Sequence, residues 1–358
     1  MVVRQKYSKL GLVTPAAMVG VEQGIADILC GMANFGLSAN TWKSYECIIN
    51  NLARCEEVTG KSMQLPFESS KMLTFVGWMI ERGLKASSMN AYISALRMYH
   101  LALGYSEPVL REPIVKLTLK GKANWDKVQK MISGEVGRLP VTNVVLKLIK
   151  KELVKANIQG CEKVLLWACS TIMWNGSFRV HEILARNQSE FDPQTTLLWE
   201  DVKVNRVKLE GKTVTSLSFK IKSPKVDRVG TGDFVEIFET GLYNCPVKAF
   251  HKWRQVSKVE EHPQLPVFRV ENECCYTGKQ LNKRLGELTT GLNLHIKGGK
   301  VTSHSFRAGI SSEMCRAGYS EQDIKAVGRW SEGSDAWKLY CKLPKTHRAK
   351  LARSLAMT

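Results

Sequence analysis

The first hundred residues form a series of amphipathic segments separated by glycines. The pattern predicts three helices, over residues 41–57, 69–82 and 87–103. Serine or threonine can cap the start of each, and a glycine follows the end of each, at Gly60, Gly83 and Gly104. A further helix can form within 16–35. We therefore expect an N-terminal extension or helix over 1–37 and a small helical domain over 38–105.

The periodicity fades between residues 106 and 138, where prolines, glycines and lysines collect. Pro108, Pro113 and the Lys120-Gly-Lys122 stretch are typical of a connecting segment. We predict a basic interdomain linker over 106–138, able to touch phosphates.

The chain beyond residue 139 mixes two periodicities. Helices are predicted over 141–156 and 161–173, and again after Pro246. Between them, apolar residues alternate with polar ones within 213–221, at Leu217, Phe219 and Ile221, and 234–238 predicts a second strand. The expected fold is mainly α with a small antiparallel β-sheet in the C-terminal domain.

The charge balance indicates a polyanionic partner. Lysine plus arginine number 52 against 33 acidic residues, a formal net charge of +19. No apolar run approaches the roughly 20 residues that a membrane-spanning helix needs. The start lacks the apolar centre of a secretory signal. We therefore expect a soluble intracellular protein that binds nucleic acid rather than a membrane.

The cysteines and histidines do not predict a metal site. The ten cysteines are interpreted as small buried hydrophobes, and the only close pair is Cys274 and Cys275. His181-Glu182 lacks the second histidine of the HExxH motif. We predict no metal and no cofactor.

The stretch from His304 to Tyr340 carries the candidate chemistry. A helix over 307–316 should end at Gly318, Ser320 with Asp323 resembles a capping box, and Ser334 can cap a third helix that carries Tyr340. Taken alone, Tyr340 is best interpreted as a packing residue.

The joint arrangement changes that interpretation. An arginine followed three residues later by an acid, a lysine in a turn between strands, the motif H-x-x-R, a tryptophan and a tyrosine occur in that order. The residues are Arg179, Glu182, Lys225, His304, Arg307, Trp330 and Tyr340. This set resembles the tyrosine recombinases, also called the phage integrase family.

Other motifs extend the resemblance. Residues 40–43 and 83–90 are similar to the helical core-binding (SAM-like) domain of Cre recombinase. Residues 245–249, 303–309 and Gly328-Arg-Trp330 are most similar to eukaryotic Crypton and DIRS-type recombinases. Glu332 and Gly333 lengthen the spacer before Tyr340 relative to the usual DIRS-type pattern. The resemblance implies a catalytic domain over 139–343 and a C-shaped clamp on DNA.

The chemistry of these side chains suits strand exchange. Arg179 and Arg307 can bind the charge that develops on an attacked phosphate. His304 can accept the proton of Tyr340, and Lys225, with Lys222 as the alternative, can protonate the leaving 5′ oxygen. Trp330 can donate its indole N–H and pack the tyrosine helix, while Glu182 orients an arginine. The resemblance implies a 3′-phosphotyrosine link formed without ATP or metal.

The sequence also offers candidate residues for DNA contact and for assembly. The candidate contact residues are Lys43, Lys85, Ser87, Asn90, Arg97 and Lys222. The basic tail over 344–358 can lie on DNA or, through Leu351 and Leu355, exchange between protomers. The resemblance implies double-stranded DNA with inverted half-sites, a dimer on one site and a tetramer in synapsis. Location would be nuclear in a eukaryote and otherwise the cytoplasm or nucleoid.

Three other functions stay open. A type IB topoisomerase uses similar residues as a monomer, and a domesticated sequence-specific DNA-binding protein would have lost catalysis. A metal-dependent nuclease is least favoured, because no carboxylate cluster stands out. The leading hypothesis is a recombinase that integrates, excises or inverts a mobile element.

Overall fold

The chain forms two compact units, residues 1–134 and 135–358, in a computed structural model. The structure describes residues 20–36, 39–105, 112–133, 138–222, 233–257, 262–270, 274–290, 292 and 300–339. Lys225, Tyr340 and the tail over 344–358 lie outside these residues. The described part of the chain contains no helix that is long and apolar enough to cross a membrane.

The first unit is entirely helical where it is described. Its helices are α1 (Gln23–Phe35), α2 (Ala39–Thr59), α3 (Ser69–Glu81), α4 (Ala86–Ala102) and α5 (Pro113–Ile132). Their apolar faces meet in one core, which includes the fully buried Phe75, Met79 and Leu96. The predicted helices agree with α2 to α4 within a few residues, which is the normal uncertainty at helix ends.

Helix α5 corrects the prediction of a linker over 106–138. Pro113 lies in its first turn, where a missing N–H is tolerated, and buried Val115 belongs to the core of the first unit. Asp126 accepts a hydrogen bond from the backbone N–H of Ala86 at 2.7 Å and pairs with Lys122. The lysines of this segment therefore belong to a packed helix that also caps α4.

The second unit is built around one apolar helix. Its elements are α6 (Asn143–Lys155), α7 (Gly160–Asn175), α8 (Val180–Ile183), β1 (Val202–Leu209), β2 (Lys212–Ile221), β3 (Asp233–Phe238), α9 (Pro246–Ser257), α10 (Gly278–Thr290), α11 (Ser303–Ala317) and α12 (Glu321–Gly328). Helix α7 is buried on most of its surface and packs against α6, α9 and α11. Such all-round burial requires apolar side chains on every face.

The sheet is a three-stranded antiparallel meander in the order β1-β2-β3. Leu217, Phe219 and Ile221 of β2 are at most 1% exposed, and β2 pairs Leu217 with Ile237 of β3. The predicted alternation is therefore confirmed: one face of the sheet completes the core and the other faces solvent. Ile221, the last residue of β2, pairs with Asp233, the first residue of β3. Residues 223–232, which include Lys225, join these strands in sequence and lie outside the described residues.

Gly309 sets the distance between α11 and the segment that enters the second unit. A β-carbon at Gly309 would lie 1.9 Å from the carbonyl oxygen of Val141. The Val141 N–H donates to the carbonyl of Ser305 at 2.8 Å, and its own carbonyl accepts the indole N–H of Trp174 at 2.8 Å. These bonds fix the backbone of Val141, so it has no room to retreat.

We predict that Gly309→Ala destabilises the second unit by about 1–3 kcal/mol, because overpacking against fixed backbone forces a shift. Chemical denaturation of the full chain measures the loss. Gly286→Ala is the matched control, since no atom lies within 4 Å of a β-carbon there. That change should be neutral or stabilising by up to about 1 kcal/mol. Equal stability of the two variants would contradict the close approach.

Candidate active site

Arg179 stands at a sharp reversal of the chain. Helix α7 ends at Asn175, and at the following Gly176 a β-carbon would lie 2.0 Å from the ring of Phe178. Ser177 then adopts a φ of +48°, and Arg179 begins the single turn of α8. The reversal exposes the Ser177 carbonyl to side chains from elsewhere in the second unit.

Glu182 holds Arg179 from three residues away. The Arg179 backbone N–H donates to Glu182 Oε2 at 2.7 Å, and its guanidinium Nη1 donates to Oε1 at 2.8 Å. The side chain of Glu182 is 4% exposed, while that of Arg179 is 23% exposed. A buried carboxylate therefore fixes a guanidinium that still reaches solvent.

The environment keeps Glu182 ionised despite its burial. Burial raises the pKa of its carboxyl group, but the positive charge of Arg329 and hydrogen bonds from Arg179 and Arg329 outweigh that effect. The net result is a pKa below the ordinary value.

Arg307 lies on α11 and is 5% exposed. Its Nη1 donates to the carbonyl of Ser177 at 2.7 Å, and its Nη2 donates to the carbonyl of Gly328. Its guanidinium carbon lies 4.5 Å from the centre of the Trp330 ring. Two segments distant in sequence, one at Ser177 and one over residues 328–330, thus orient the guanidinium of Arg307.

Trp330 follows α12 through a left-handed turn. A β-carbon at Gly328 would lie 1.6 Å from the Trp330 ring, so only glycine fits beneath it. The ring packs on a small apolar cluster of Met314, Ile324 and Trp337. The structure therefore places Trp330 between Arg307 and the segment that leads to Tyr340.

His304 lies one turn before Arg307 on α11, with its side chain open to solvent. Partial loss of hydration lowers the pKa of its imidazole below the ordinary 6.5, and the nearby charges of Arg138, His181, Arg307 and Arg179 lower it further. The imidazole is therefore mostly neutral at neutral pH and able to accept a proton.

Lys222, the alternative to Lys225, is already engaged. Its ammonium group lies 2.6 Å from Oδ2 of Asp201 and donates to the carbonyl of Pro193 at 2.9 Å. The side chain of Asp201 is 4% exposed, and its carboxylate also accepts the N–H of Leu198 at 2.8 Å. Lys222 anchors the end of β2, three residues before Lys225.

The segment before Tyr340 differs from its predicted helix. Ala336–Leu339 forms a short 3₁₀ helix, with Trp337 9% exposed in the cluster beneath Trp330. The extra residues of the spacer form a turn in which the Ser334 N–H donates to the Ser331 carbonyl at 2.9 Å. Lys325 also donates to the carbonyl of Glu332 at 2.6 Å. The longer spacer is thus tied to α12.

Two predictions about the ends of the neighbouring helices are confirmed. Ser320 and Asp323 form a capping box at the start of α12, and α11 ends before Gly318, which has a left-handed backbone.

Helix α4 of the first unit and the residue before it carry four of the six predicted DNA contacts. Ser87, Asn90 and Arg97 are exposed at helical spacing, and Lys85 is exposed just before them. Asn90 donates its side-chain N–H to the carbonyl of Ala86 at 2.9 Å. Lys43 lies on α2, but its side chain is outside the described part of the chain.

Several residues of the site were missed by sequence reasoning. Arg329 bridges Glu182 and the Ser177 carbonyl, Arg138 adds positive charge near His304, and Asp201 holds Lys222. Arg329 lies inside the Gly328-Arg-Trp330 motif, which was the available signal. Among the described residues, no group of three or more histidine, cysteine or acidic side chains is placed to hold a metal ion.

We predict that the imidazole of His304 titrates below pH 6.5 and that Arg138→Gln moves its midpoint upward, because one of the nearby positive charges is removed. NMR of the histidine ring protons measures both midpoints, with His304→Gln to assign the signal. Arg316→Gln is the control, since Arg316 lies three turns away on α11 and pairs with Glu313. A wild-type midpoint at or above 6.5 would contradict the described surroundings.

Two kinds of solved DNA-recombination protein share the fold of this chain. The XerH site-specific recombinase, in a post-cleavage complex with palindromic difH substrate, aligns with a TM-score of 0.60 at 12% identity, covering 93% of this chain and 86% of that one. The Tn1549 transposon integrase, in complex with transposon right-end DNA, aligns with a TM-score of 0.55 at 12% identity, covering 90% of this chain and 95% of that one.

No protein-family model matches the sequence, and neither does any curated protein sequence. At 12% identity, the structural similarity establishes the fold. The predicted fold class, mainly α with a small antiparallel sheet in the C-terminal unit, is therefore confirmed as the fold of these recombination proteins.

Proposed function

We propose that this chain is a site-specific DNA recombinase that cuts and rejoins DNA through a 3′-phosphotyrosine link to Tyr340. The observation that carries the proposal is that Glu182 holds Arg179, the Ser177 carbonyl holds Arg307, and Arg329 contacts both of these acceptors, while the charges of both arginines act on His304. The fold shared with XerH and the Tn1549 integrase supports it. The net charge of +19 suits a DNA partner.

The two arginines suit an attacked phosphodiester. Negative charge grows on the non-bridging oxygens during attack, and guanidinium groups offer planar, permanently charged donors for it. Arg307 is oriented by the carbonyls of Ser177 and Gly328, and Arg179 by Glu182. Donors that are fixed in advance need no reorganisation when the charge appears, which is the larger part of their catalytic value.

His304 suits the role of proton acceptor. The phenol of Tyr340 has an ordinary pKa of about 10 and must lose its proton as its oxygen attacks phosphorus. The lowered pKa of His304 leaves the imidazole neutral at neutral pH. Arrival of a DNA phosphate offsets the surrounding positive charge, so the imidazole then holds the accepted proton more readily.

Lys225 is the proposed general acid for the leaving 5′ oxygen. The ion pair of Lys222 with buried Asp201 supports this choice, because removing Lys222 from it would leave a buried carboxylate unpaired. We assign Lys222 to anchoring the end of β2. Rejoining is the reverse reaction, in which a 5′ hydroxyl attacks the phosphotyrosine, expels Tyr340 and restores the phosphodiester.

The substrate and assembly are proposed from motifs and fold. XerH is bound to a palindromic substrate, which supports inverted half-sites, each held by one protomer, with a dimer per site and a tetramer in synapsis. The Tn1549 integrase belongs to a transposon, and the Crypton and DIRS-type motifs likewise support a mobile element. Ser87, Asn90 and Arg97 on α4 are the proposed groove and phosphate contacts.

We predict that the wild-type protein forms a covalent adduct with its target duplex in the presence of chelator, and that Tyr340→Phe abolishes the adduct while keeping DNA affinity. Denaturing electrophoresis of protein with end-labelled, nicked duplex measures the adduct, and a mobility shift measures affinity. Loss of wild-type cleavage in EDTA would favour a metal-dependent nuclease. DNA relaxation without strand exchange would favour a type IB topoisomerase.

We predict that Lys225→Ala slows cleavage by about 10²- to 10⁴-fold, the usual effect of a lost general acid. A duplex with sulfur in place of the leaving 5′ oxygen should restore the rate, because a thiolate leaves without a proton. Lys222→Ala is the matched control: its defect should persist with the sulfur substrate and should be accompanied by lower stability of the second unit. If the sulfur substrate restored the rate of Lys222→Ala but not that of Lys225→Ala, Lys222 would be the general acid and the proposed role of Lys225 would be wrong.

A further inference from the structure

Arg329 occupies a backbone position at which glycine is the usual residue. It ends α12 in the left-handed region, with φ +50° and ψ +48°. A residue other than glycine is strained there, and helix ends of this type favour glycine for that reason. The contacts of the arginine side chain must therefore offset this strain.

The side chain of Arg329 contacts both acceptors of the site. Its Nη2 donates to Glu182 Oε2 at 2.7 Å and to the Ser177 carbonyl at 3.3 Å. Its guanidinium carbon lies 5.2 Å from the centre of the Phe178 ring. Its Nε and Nη1 are buried and have no hydrogen-bond partner among the described residues, so the aromatic face is their main described contact.

Each of these acceptors also holds one of the two proposed catalytic arginines. Glu182 binds Arg179 through its other carboxylate oxygen and through the Arg179 backbone N–H. Ser177 binds Arg307 at 2.7 Å. Arg329 thus connects the anchor of Arg179 to the anchor of Arg307 by direct contact with both.

We propose that Arg329 is a positioning residue for strand cleavage: it fixes Glu182 and the Ser177 carbonyl so that Arg179 and Arg307 are presented to one phosphate together. This inference rests on the proposed function. A lysine cannot replace it fully, because an ammonium group lacks the planar fork that spans a carboxylate and a carbonyl while lying against a ring.

The charges around Glu182 make the proposal sensitive to pH. Arg179 and His181 lie on the same turn as Glu182. Arg329, at the end of α12, pairs with Glu182 directly. Arg307 of α11 is further away and donates to the Ser177 carbonyl. Without Arg329, the burial that raises the pKa of Glu182 is opposed mainly by Arg179. Glu182 should then take up a proton at a higher pH and release Arg179.

The test compares four proteins: wild type, Arg329→Met, Glu182→Gln and the double variant that carries both changes. Arg329→Lys keeps the charge and guards against a variant that fails to fold. Arg206→Met, an exposed arginine of β1, is the matched control for loss of one positive charge. The two readouts are the rate of covalent adduct formation on nicked duplex and the midpoint of thermal unfolding, both across pH.

The adduct rate of Arg329→Met should fall by about 10- to 100-fold at neutral pH, as for other partners that orient a functional side chain. The deficit should grow as pH falls, because Glu182 becomes protonated only in the variant. DNA affinity should change little. In the Glu182→Gln background the added effect of Arg329→Met should be smaller, reflecting mainly its lost bond to the Ser177 carbonyl, and independent of pH. Arg329→Lys should be intermediate.

The difference in unfolding midpoint between wild type and Arg329→Met should shrink as pH falls, whereas the difference in adduct rate grows. At neutral pH the variant carries an ionised, buried Glu182 with one arginine fewer, so its midpoint lies well below that of wild type. The gap should narrow as pH falls through the raised pKa of Glu182 in the variant. Arg206→Met should show neither trend.

The two readouts separate the inference from the proposed function. A gap in midpoint that is constant with pH, or unaltered by Glu182→Gln, overturns the coupling of Arg329 to Glu182 whatever the activity. A fall in adduct rate that is uniform across pH also overturns it. Absence of any adduct with wild-type protein counts against the proposed function alone, while the midpoints still decide whether Arg329 controls Glu182.

Discussion

The arrangement of the candidate site in the second unit depends on one buried carboxylate, that of Glu182. Glu182 lies where the reversal after α7 meets the end of α12, and it accepts hydrogen bonds from Arg179 and Arg329. A buried carboxylate is costly unless its charge is matched and its oxygens are bonded. Both conditions are met here, and meeting them fixes the guanidinium of Arg179. The Ser177 carbonyl, five residues earlier, does the same for Arg307.

Close backbone contacts bring these acceptors together. Gly309 lets α11 approach Val141, and Gly328 lets the Trp330 ring fold back beneath Arg307. Because α11 also packs against α7, the position of Arg307 follows from the same core that places Ser177 and Arg179. The site is thus a consequence of how α7, α11 and α12 pack, and the open side chain of His304 adds a proton acceptor at its edge.

Local sequence signals predicted much of the fold. Glycines after the helix ends located α2 to α4, and alternation of Leu217, Phe219 and Ile221 located β2. The predicted serine caps of α3 and α4 are wrong, because Glu68 and Lys85 occupy the N-cap positions and neither side chain makes a capping hydrogen bond. Helix α5 was missed because its lysines and its proline and glycine resemble a linker, and its burial depends on contacts with α3 and α4. The single 3₁₀ turn before Tyr340 was likewise unpredictable from caps alone, since the packing of Trp337 determines it.

The candidate site was only partly legible in the sequence. Arg179 and Glu182 are three residues apart, so their pairing follows from local spacing. The pairing of Arg329 with Glu182 spans 147 residues, and that of Lys222 with Asp201 depends on the register of the sheet. No local pattern encodes either contact. These two ion pairs show that Arg329 and Lys222 are bound to buried carboxylates within the protein. This distinguishes them from charged groups that are placed to act on a substrate.

We propose that this packing presents two arginines and a proton acceptor for transfer of a DNA phosphate to Tyr340. The most direct measurement is mass spectrometry of the protein after reaction with a nicked duplex and digestion of both partners. We expect a single modified peptide with a nucleotide joined through its 3′ phosphate to Tyr340. A nucleotide on any other residue, or a 5′ linkage, would contradict it.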